Sequence, residues 1–324
     1  MLQQTQVATV IPYFQRFVQR FPTVHELAAA SQEEVLQLWE GLGYYRRARQ
    51  LHAAAKTIVA EHAGHFPQDF QSVLALPGIG RYTAGAILSI ATGQRCPIVE
   101  ANTQRLFSRL LAVTAPLSEA RTVRLLWHFA ESILPQASRQ ENRVGSFNQA
   151  AMELGALVCT PKAPKCLLCP LRQECAAYAQ GLEDQIPGKV KQVQYQDRTE
   201  FALLVHSMQR GHADAPLRYF VYRIPEQQRW GGLWDFPRFG PPEAHSLRDA
   251  TQAIRRRFGL QVSPQEPLPP MRHGVTRYRI TLHAWHAVAA RQVGAGERQR
   301  WVTAQELTKL PLSVTGRKLA EMLN

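Results

Sequence analysis

Four cysteines occupy one short segment of the chain, at Cys159, Cys166, Cys169 and Cys175, with gaps of six, two and five residues between them. Thiolates are soft ligands, so four of them suit a tetrahedral zinc ion or an iron–sulfur cluster. Buried core cysteines or two disulfides are the alternatives. Three prolines interrupt the segment and no packing face repeats through it. We therefore interpret residues 159–175 as a metal-binding loop, and ligand softness leaves the choice of metal open.

A second segment, Leu76-Pro77-Gly78-Ile79-Gly80, lies between two helical patterns and is typical of a helix–hairpin–helix turn. Its glycines let the backbone approach a ligand. Exposed amides at the start of the next helix would hold a phosphate oxygen without reading base sequence. An ordinary turn between two helices is the alternative.

The charge of the chain favours the phosphate interpretation. Lys and Arg number 38 against 25 Asp and Glu, a net charge of +13. Such an excess favours a polyanionic partner through counterion release, and nucleic acid is the most direct one. No apolar run is long enough for a membrane span, and the opening residues do not combine a basic region with an apolar stretch, so we expect a cytoplasmic protein with no membrane partner.

Several short motifs occur together in one order. They are the opening Met1-Leu2-Gln3-Gln4-Thr5-Gln6, the stretch Gly41-Leu42-Gly43-Tyr44-Tyr45, the hairpin, the cysteine spacing and, more weakly, Trp230-Gly231-Gly232-Leu233-Trp234. In this combination the chain resembles the adenine DNA glycosylases of the MutY type, which belong to the helix–hairpin–helix base-excision superfamily. The resemblance covers essentially the whole first domain.

The resemblance implies a function and a cofactor. The enzyme would flip adenine mispaired with 8-oxoguanine or guanine out of double-stranded DNA and hydrolyse its N-glycosidic bond, acting as a monomer. The cofactor would be a structural [4Fe–4S] cluster held by the four cysteines.

Three catalytic positions follow from the resemblance. Glu100 stands where the family ordinarily has the aspartate that stabilises the cationic sugar, and its additional methylene shifts the carboxylate. Asn102 matches a residue that supports this acid. Tyr82 stands where the related lyases of the endonuclease III type carry a lysine, and a tyrosine forms no Schiff base, so we expect little lyase activity.

The DNA-contacting positions follow in the same way. Gln4 and Tyr44 match the residues that wedge into the gap left by the flipped base. At the family's Phe-Ser-His reading segment this chain has Val275-Thr276-Arg277, where the hydroxyl of Thr276 survives. The complete set expected to contact DNA is Gln3, Gln4, Thr5, Leu42, Tyr44, Gly78, Gly80 and Thr276.

One family residue has no counterpart in the chain. The family's proton donor is a glutamate two residues before the position of Met1, so we expect the true start to lie upstream. If the chain is complete, we expect a mismatch- or lesion-binding protein of the same fold that has lost excision. A nucleic-acid binder with a zinc loop is the third interpretation.

The patterns along the chain predict two domains that position these residues. Residues 1–180 read as an all-α helix–hairpin–helix domain containing the cysteine loop, residues 181–200 as a linker, and residues 201–324 as an α+β Nudix-like domain for recognition of 8-oxoguanine. Apolar residues recur at helical spacing along residues 7–21, where Pro12 can kink the helix. Strands are predicted at 201–205, 219–224 and 278–288, and a helix at 247–258.

Other charged and histidine residues allow more than one interpretation. The predicted helix 247–260 offers only Asp249 as a carboxylate, so Nudix pyrophosphate hydrolysis is not expected. His283 and His286 lie at an odd offset in a strand, which points them to opposite faces. The arginines at 46, 47 and 49 contact phosphate or form a solvated helix face, and those at 272, 277 and 279 contact the DNA backbone or form a solvated strand face.

Overall fold

The computed structural model describes residues 1–3, 5–138, 141–188, 194–207, 216–292, 294 and 296–323. Contacts divide the chain into two compact units, Met1–Val59 with Val193–Asn324, and Ala60–Gln192. The opening helices therefore belong to the same unit as the C-terminal part of the chain. The domain boundaries at residues 180 and 200 are based on changes in residue composition and pattern along the chain, not on packing, and they stay a prediction.

Helices make up most of the described residues before 189, as the apolar patterns predict. Their bounds are α1 (Val7–Arg20), α2 (Val24–Ala29), α3 (Gln32–Leu38), α4 (Arg46–Glu61), α5 (Phe70–Ala75), α6 (Arg81–Thr92), α7 (Ala101–Leu110), α8 (Ala120–Ser132), α9 (Arg143–Leu157) and α10 (Ala176–Ala179). Polar side chains fix several starts; the Thr23 hydroxyl and the Glu26 carboxylate cap α2 reciprocally. No helix in the described ranges is long and apolar enough to cross a bilayer.

Helix α1 contains Pro12, yet it runs without interruption from Val7 to Arg20. Fewer apolar residues of α1 are buried than its sequence pattern suggests. Val10 and Phe17 are only 5% and 6% exposed, whereas Ile11 and Phe14 are 50% and 56% exposed. The sequence period thus predicted the helix, but only one edge of its apolar stripe lies in the core.

A seven-stranded sheet forms the centre of the C-terminal part. Its strands are β1 (Gln196–Ser207), β2 (Arg218–Arg223), β3 (Trp234–Asp235), β4 (Arg238–Phe239), β5 (Val262–Val275), β6 (Tyr278–Ala289) and β7 (Gln299–Thr303). The order is β3-β2-β1-β6-β5, with β4 beside β1 and β7 beside β2. Strands β1 and β6 are parallel, whereas the other pairs are antiparallel.

Strand β5 is absent from the sequence predictions because of its prolines. Proline cannot donate to a ladder and is confined to edges and bulges of a sheet. Here β5 is an edge strand, and its register with β6 shifts between Pro264 and Pro267 and again between Leu268 and Met271. At an edge and beside these register shifts, the prolines disrupt few hydrogen bonds between strands.

Helices cover both faces of the sheet. Helix α11 (Leu247–Phe258), which the sequence predicted at these bounds, packs on the face that carries Phe201, Leu203 and Val205. Helices α12 (Ala304–Leu307) and α13 (Val314–Glu321) cover the other face. This arrangement confirms the predicted α+β fold of the C-terminal domain.

The Trp230-to-Trp234 segment packs against α3 within the same unit. Gly232 has a φ of +86°, a backbone conformation that favours glycine, and an added Cβ would lie 3.1 Å from the Leu36 side chain, closer than an ordinary contact. The Trp234 indole donates to Glu33 at 2.9 Å. Arg317 of α13 donates twice to Glu40, at 2.6 and 2.9 Å. Such bidentate pairs fix orientation as well as distance.

Candidate active site

The predicted hairpin joins α5 to α6. Gly78 has a φ of +81°, a left-handed conformation that favours glycine. Gly80 is the N-cap of α6, and it provides no capping side chain. A Cβ on Gly80 would meet no heavy atom within 4 Å. The start of α6 is therefore open to a ligand, and its amides and helix dipole favour an anion there.

Glu100 lies at the start of the next helix as the N-cap of α7. Its Oε1 accepts hydrogen bonds from the amides of Asn102 and Thr103, both at 2.9 Å. The Thr103 hydroxyl accepts from the Glu100 amide at 2.8 Å and completes the reciprocal cap. The longer side chain of glutamate thus folds back onto its own helix, and the carboxylate is held while remaining partly exposed.

Tyr82, on the first turn of α6, is electrostatically coupled to Glu100. Burial raises the pKa of Tyr82, and the negative charge of Glu100 raises it further. Its hydroxyl donates to the Met152 sulfur at 3.4 Å. The phenol therefore stays neutral next to the carboxylate, and the three catalytic positions from the sequence lie on the adjoining starts of α6 and α7.

A buried arginine that the sequence analysis did not single out connects this group to the cysteine loop. Arg105 of α7 donates from Nη2 to the Asn102 side chain at 3.0 Å and from Nε to the Cys159 carbonyl at 2.6 Å. Burial lowers its pKa, an effect that the coulombic influence of Cys159 opposes. The sequence feature that could have identified Arg105 is its three-residue offset from Asn102, which places both side chains on one helix face.

A second missed arginine contacts a cysteine sulfur directly. Arg109 is 2% exposed and donates from Nη1 to Cys159 Sγ at 3.3 Å. It also donates to the carbonyls of Thr160 and Ile186, both at 2.8 Å. Within the described ranges no carboxylate lies within ion-pair distance of Arg109. Because an uncompensated buried charge is costly, the thiolate site is its natural counter-charge.

The four cysteines are free thiols that line one common cavity. The same cavity is lined by Arg109, Arg172 and Tyr178. Among the described residues, no three His, Cys, Asp or Glu side chains are arranged to hold a single metal ion. A soft, four-sulfur donor set around one cavity with buried cations beside it fits a thiolate-bound cluster.

The opening segment and the Gly41-to-Tyr45 stretch are held together by Arg47. Its guanidinium donates to the carbonyls of Met1 and Gln3 and to the Thr5 hydroxyl, the last at 3.0 Å. These hydrogen bonds fix Arg47 against the opening segment, so it does not form a solvated helix face. Arg49 likewise donates to the carbonyl of Gly231.

The other residues of this region differ in accessibility. Tyr44 is 59% exposed with a φ of +48°, a conformation that is uncommon for a tyrosine and that projects its ring into solvent. Leu42 is 6% exposed and packs in the core with Trp39. Gln3 is exposed, and Gln4 lies outside the described residues.

Thr276 lies at the tip of the hairpin between β5 and β6. It is exposed with a φ of +51°, and its hydroxyl donates to the Val275 carbonyl at 2.7 Å. The Ser246 hydroxyl caps α11 by accepting from the Asp249 amide at 3.2 Å. The Asp249 carboxylate accepts from the His245 amide at 3.0 Å, and this hydrogen bond lowers the pKa of Asp249.

Two family models match the chain. The model described as the HhH-GPD superfamily base excision DNA repair protein matches residues 1–131, and the NUDIX domain model matches residues 213–322. The two matches correspond to the helical and the sheet-containing parts of the predicted organisation.

Relatives of similar sequence share one name. The adenine DNA glycosylase of Mus musculus is 34% identical over 372 residues, which cover 99% of this chain and 70% of the mouse protein. The adenine DNA glycosylase of Buchnera aphidicola subsp. Schizaphis graminum is 38% identical over 240 residues, covering 74% of this chain and 65% of that protein. The Homo sapiens adenine DNA glycosylase is 48% identical over 187 residues, covering 57% and 33%.

Proposed function

The chain belongs to the family of adenine DNA glycosylases, and from this membership we propose that it hydrolyses the N-glycosidic bond of adenine mispaired with 8-oxoguanine or guanine in duplex DNA. The reaction requires the adenine to leave the base stack before its sugar is accessible. The observation that best supports the proposal is the coupled group of Glu100, Asn102 and Tyr82 beside an open helix start.

Each residue of this group has a role that its chemistry supports. As adenine departs, positive charge develops on the sugar, and the partly exposed carboxylate of Glu100 stabilises that charge. Asn102 and the buried Arg105 hold the helix start that carries the carboxylate. Tyr82 lines the adenine pocket as a neutral phenol. Having no amine, it forms no Schiff base, so the product is an abasic site and not a cleaved strand.

The DNA contacts are shared among several segments. Gly78 and Gly80 let the hairpin backbone bind a phosphate, and Tyr44, held in its exposed conformation, enters the gap left by adenine together with Gln4. Gln3, Thr5 and Leu42 support that segment at the DNA, and the Thr276 hydroxyl contacts the opposite base. We expect the protein to bind its duplex as a monomer.

The cysteine loop is proposed to hold a [4Fe–4S] cluster through Cys159, Cys166, Cys169 and Cys175. When bound, the cluster would cross-link the loop and thereby fix its fold. The chain's own contribution is the pair of buried arginines, whose charges and hydrogen bonds around Cys159 offset the negative thiolates. Zinc is distinguished by measuring iron and zinc content together with visible absorption, which a cubane cluster has and zinc lacks.

A single-turnover assay tests the activity. The chain is mixed in excess with a duplex containing adenine opposite 8-oxoguanine, and abasic sites are revealed by alkaline strand cleavage. We expect excision of adenine opposite 8-oxoguanine, slower excision opposite guanine and none opposite thymine. Tight binding of the 8-oxoguanine duplex without any abasic product would contradict the proposal and would identify a binding protein that has lost excision.

A further inference from the structure

Arginine and tyrosine side chains alternate around the tip of the β5–β6 hairpin. The guanidinium carbons of Arg198 and Arg277 lie 5.5 and 5.3 Å from the centroid of the Tyr278 ring. Arg277 also donates to the Tyr278 hydroxyl at 3.1 Å. Arg279 lies 5.0 Å from the ring of Tyr195. We call these five residues the arginine–tyrosine patch.

The patch extends over both faces of the hairpin. Residues 278 and 279 are neighbours in β6, so their side chains point to opposite sides of the sheet. Arg277 and Arg279 are exposed, and Tyr195 is 59% exposed. The positive charges of the patch are therefore presented around the end of the hairpin and not on a single face.

The balance of charge at this tip is positive. Arg198 is partly neutralised by the buried Glu200, whose carboxylate lies 3.3 Å from it. Asp197 is opposite Arg279 in the register of β1 and β6, but the described structure contains no ion pair between them. Among the described residues, the guanidinium of Arg277 donates a hydrogen bond only to the Tyr278 hydroxyl. Aromatic rings hold the guanidinium planes in place, which lowers the entropy lost when they bind a ligand.

These observations identify the kind of partner. Guanidinium groups bind phosphate oxygens bidentately, and a curved row of them fits a phosphate chain better than a single small anion. At the same tip, the hydroxyl of Thr276 is the group proposed to contact the opposite base. We propose that the arginine–tyrosine patch binds the phosphate backbone of duplex DNA, so that this hairpin contributes affinity that does not depend on the opposite base. This inference rests on the proposed function in that both require a duplex at the hairpin.

Salt dependence of binding provides the test. Each phosphate neutralised by a basic side chain contributes about 0.9 to the slope of log Kobs against log salt on B-form DNA. Arg277→Gln and Arg279→Gln should each reduce the slope by about 0.9. Arg291→Gln is the matched control, since this exposed arginine follows the other end of β6, about 35 Å away at the rise of a strand. It should leave the slope unchanged.

Two duplexes of one sequence separate backbone contact from base contact. One contains 8-oxoguanine opposite a non-hydrolysable adenine analogue, and the other contains only normal pairs. The patch variants should lose the same fold of affinity on both. A loss confined to the 8-oxoguanine duplex, an unchanged slope, or a wild-type chain that binds neither duplex would each overturn the inference.

The readouts also keep the two proposals apart. Binding is measured without excision, so a reduced slope in a chain that does not cleave adenine supports the patch and contradicts only the proposed activity. Normal excision with an unchanged slope contradicts only the patch. Arg277→Lys, which keeps the charge without the planar group, should retain most of the slope, and circular dichroism verifies that each variant is folded.

Discussion

Glu100 has two separable roles, and replacing it with glutamine separates them. The structure uses Oε1 to cap α7 with two hydrogen bonds of 2.9 Å, and the side-chain amide oxygen of the introduced glutamine can accept the same two bonds. Only the charge is removed. The interaction of a carboxylate with a helix N-terminus is worth about 0.3–1 kcal/mol, so Glu100→Gln should lower the free energy of unfolding by no more than about 1 kcal/mol.

The proposed chemical role predicts a larger effect on a cationic ligand. A hydrogen bond that involves charged groups contributes about 1.5–3 kcal/mol, and about 1.4 kcal/mol corresponds to a tenfold change in affinity. The preference of the protein for a duplex with a protonated pyrrolidine in place of the sugar, over one with a neutral tetrahydrofuran, should therefore fall by about 10- to 150-fold in Glu100→Gln.

Competition titrations monitored by fluorescence anisotropy measure this preference without requiring catalysis. Glu100→Ala is the companion variant, since it removes the cap as well and should cost about 0.5–2 kcal/mol of stability. Glu100→Asp keeps both cap and charge and should keep the preference. If the glutamine variant discriminated between the two ligands as well as the wild type, Glu100 would be a helix cap and nothing more.

Three further perturbations have outcomes that the geometry predicts. Gly78→Ala should destabilise the protein by about 1–2 kcal/mol in urea unfolding, since the φ of Gly78 is +81°. Gly80→Ala lies at an extended and uncrowded position and should change stability by less than about 0.5 kcal/mol. Equal effects of the two variants would contradict this description of the hairpin. Arg109→Met leaves the buried Ile186 carbonyl and the partly buried Thr160 carbonyl without this donor and should cost about 2–4 kcal/mol. It should also reduce the iron content of the purified protein, so iron content and stability equal to those of the wild type would count against the role of Arg109. Burial, and then the charge of Arg238, lower the pKa of His273 to about 4. Because the unfolded chain binds this proton at higher pH than the folded one, stability should decline as pH falls from about 6.5 towards 4. The full shift corresponds to about 3 kcal/mol, and solvent screening of this partly exposed ring reduces the expected decline to about 1–2 kcal/mol. His273→Gln should flatten that part of the urea-derived stability profile.

Local chemistry explains why much of the molecule could be predicted. Helix starts depend on a side chain a few residues away, as at Thr23 and Glu26, and an apolar period of three to four reports a helix wherever it packs. The same short-range rules account for the bounds of α11. They also account for the opposite faces of His283, which stacks on Trp285, and His286, which lies near His206. These rules do not predict strand β5. Its prolines are tolerated only at the edge of a sheet, and pairing between distant segments of the chain decides which strand lies at the edge.

The roles of charged residues depend on distant partners. The strip of basic residues at 46, 47 and 49 has the same composition whether it contacts phosphate or solvent, yet Arg47 and Arg49 each satisfy backbone carbonyls far along the chain. Arg105 and Arg109 occupy an ordinary amphipathic helix, and nothing near them in sequence indicates that Cys159, fifty or more positions away, is their partner.

The sequence by itself determined which residues are chemically competent: four thiols at cluster spacing, a glycine turn between helices, and a carboxylate just before α7. Tertiary structure alone decided that Asn102 is joined to the cysteine loop through Arg105 and that Leu42 is buried. The physical reason is the distance along the sequence over which each interaction acts. Backbone conformation and capping depend on neighbours within a few residues, whereas burial and the pairing of charges depend on which distant segments the fold brings together.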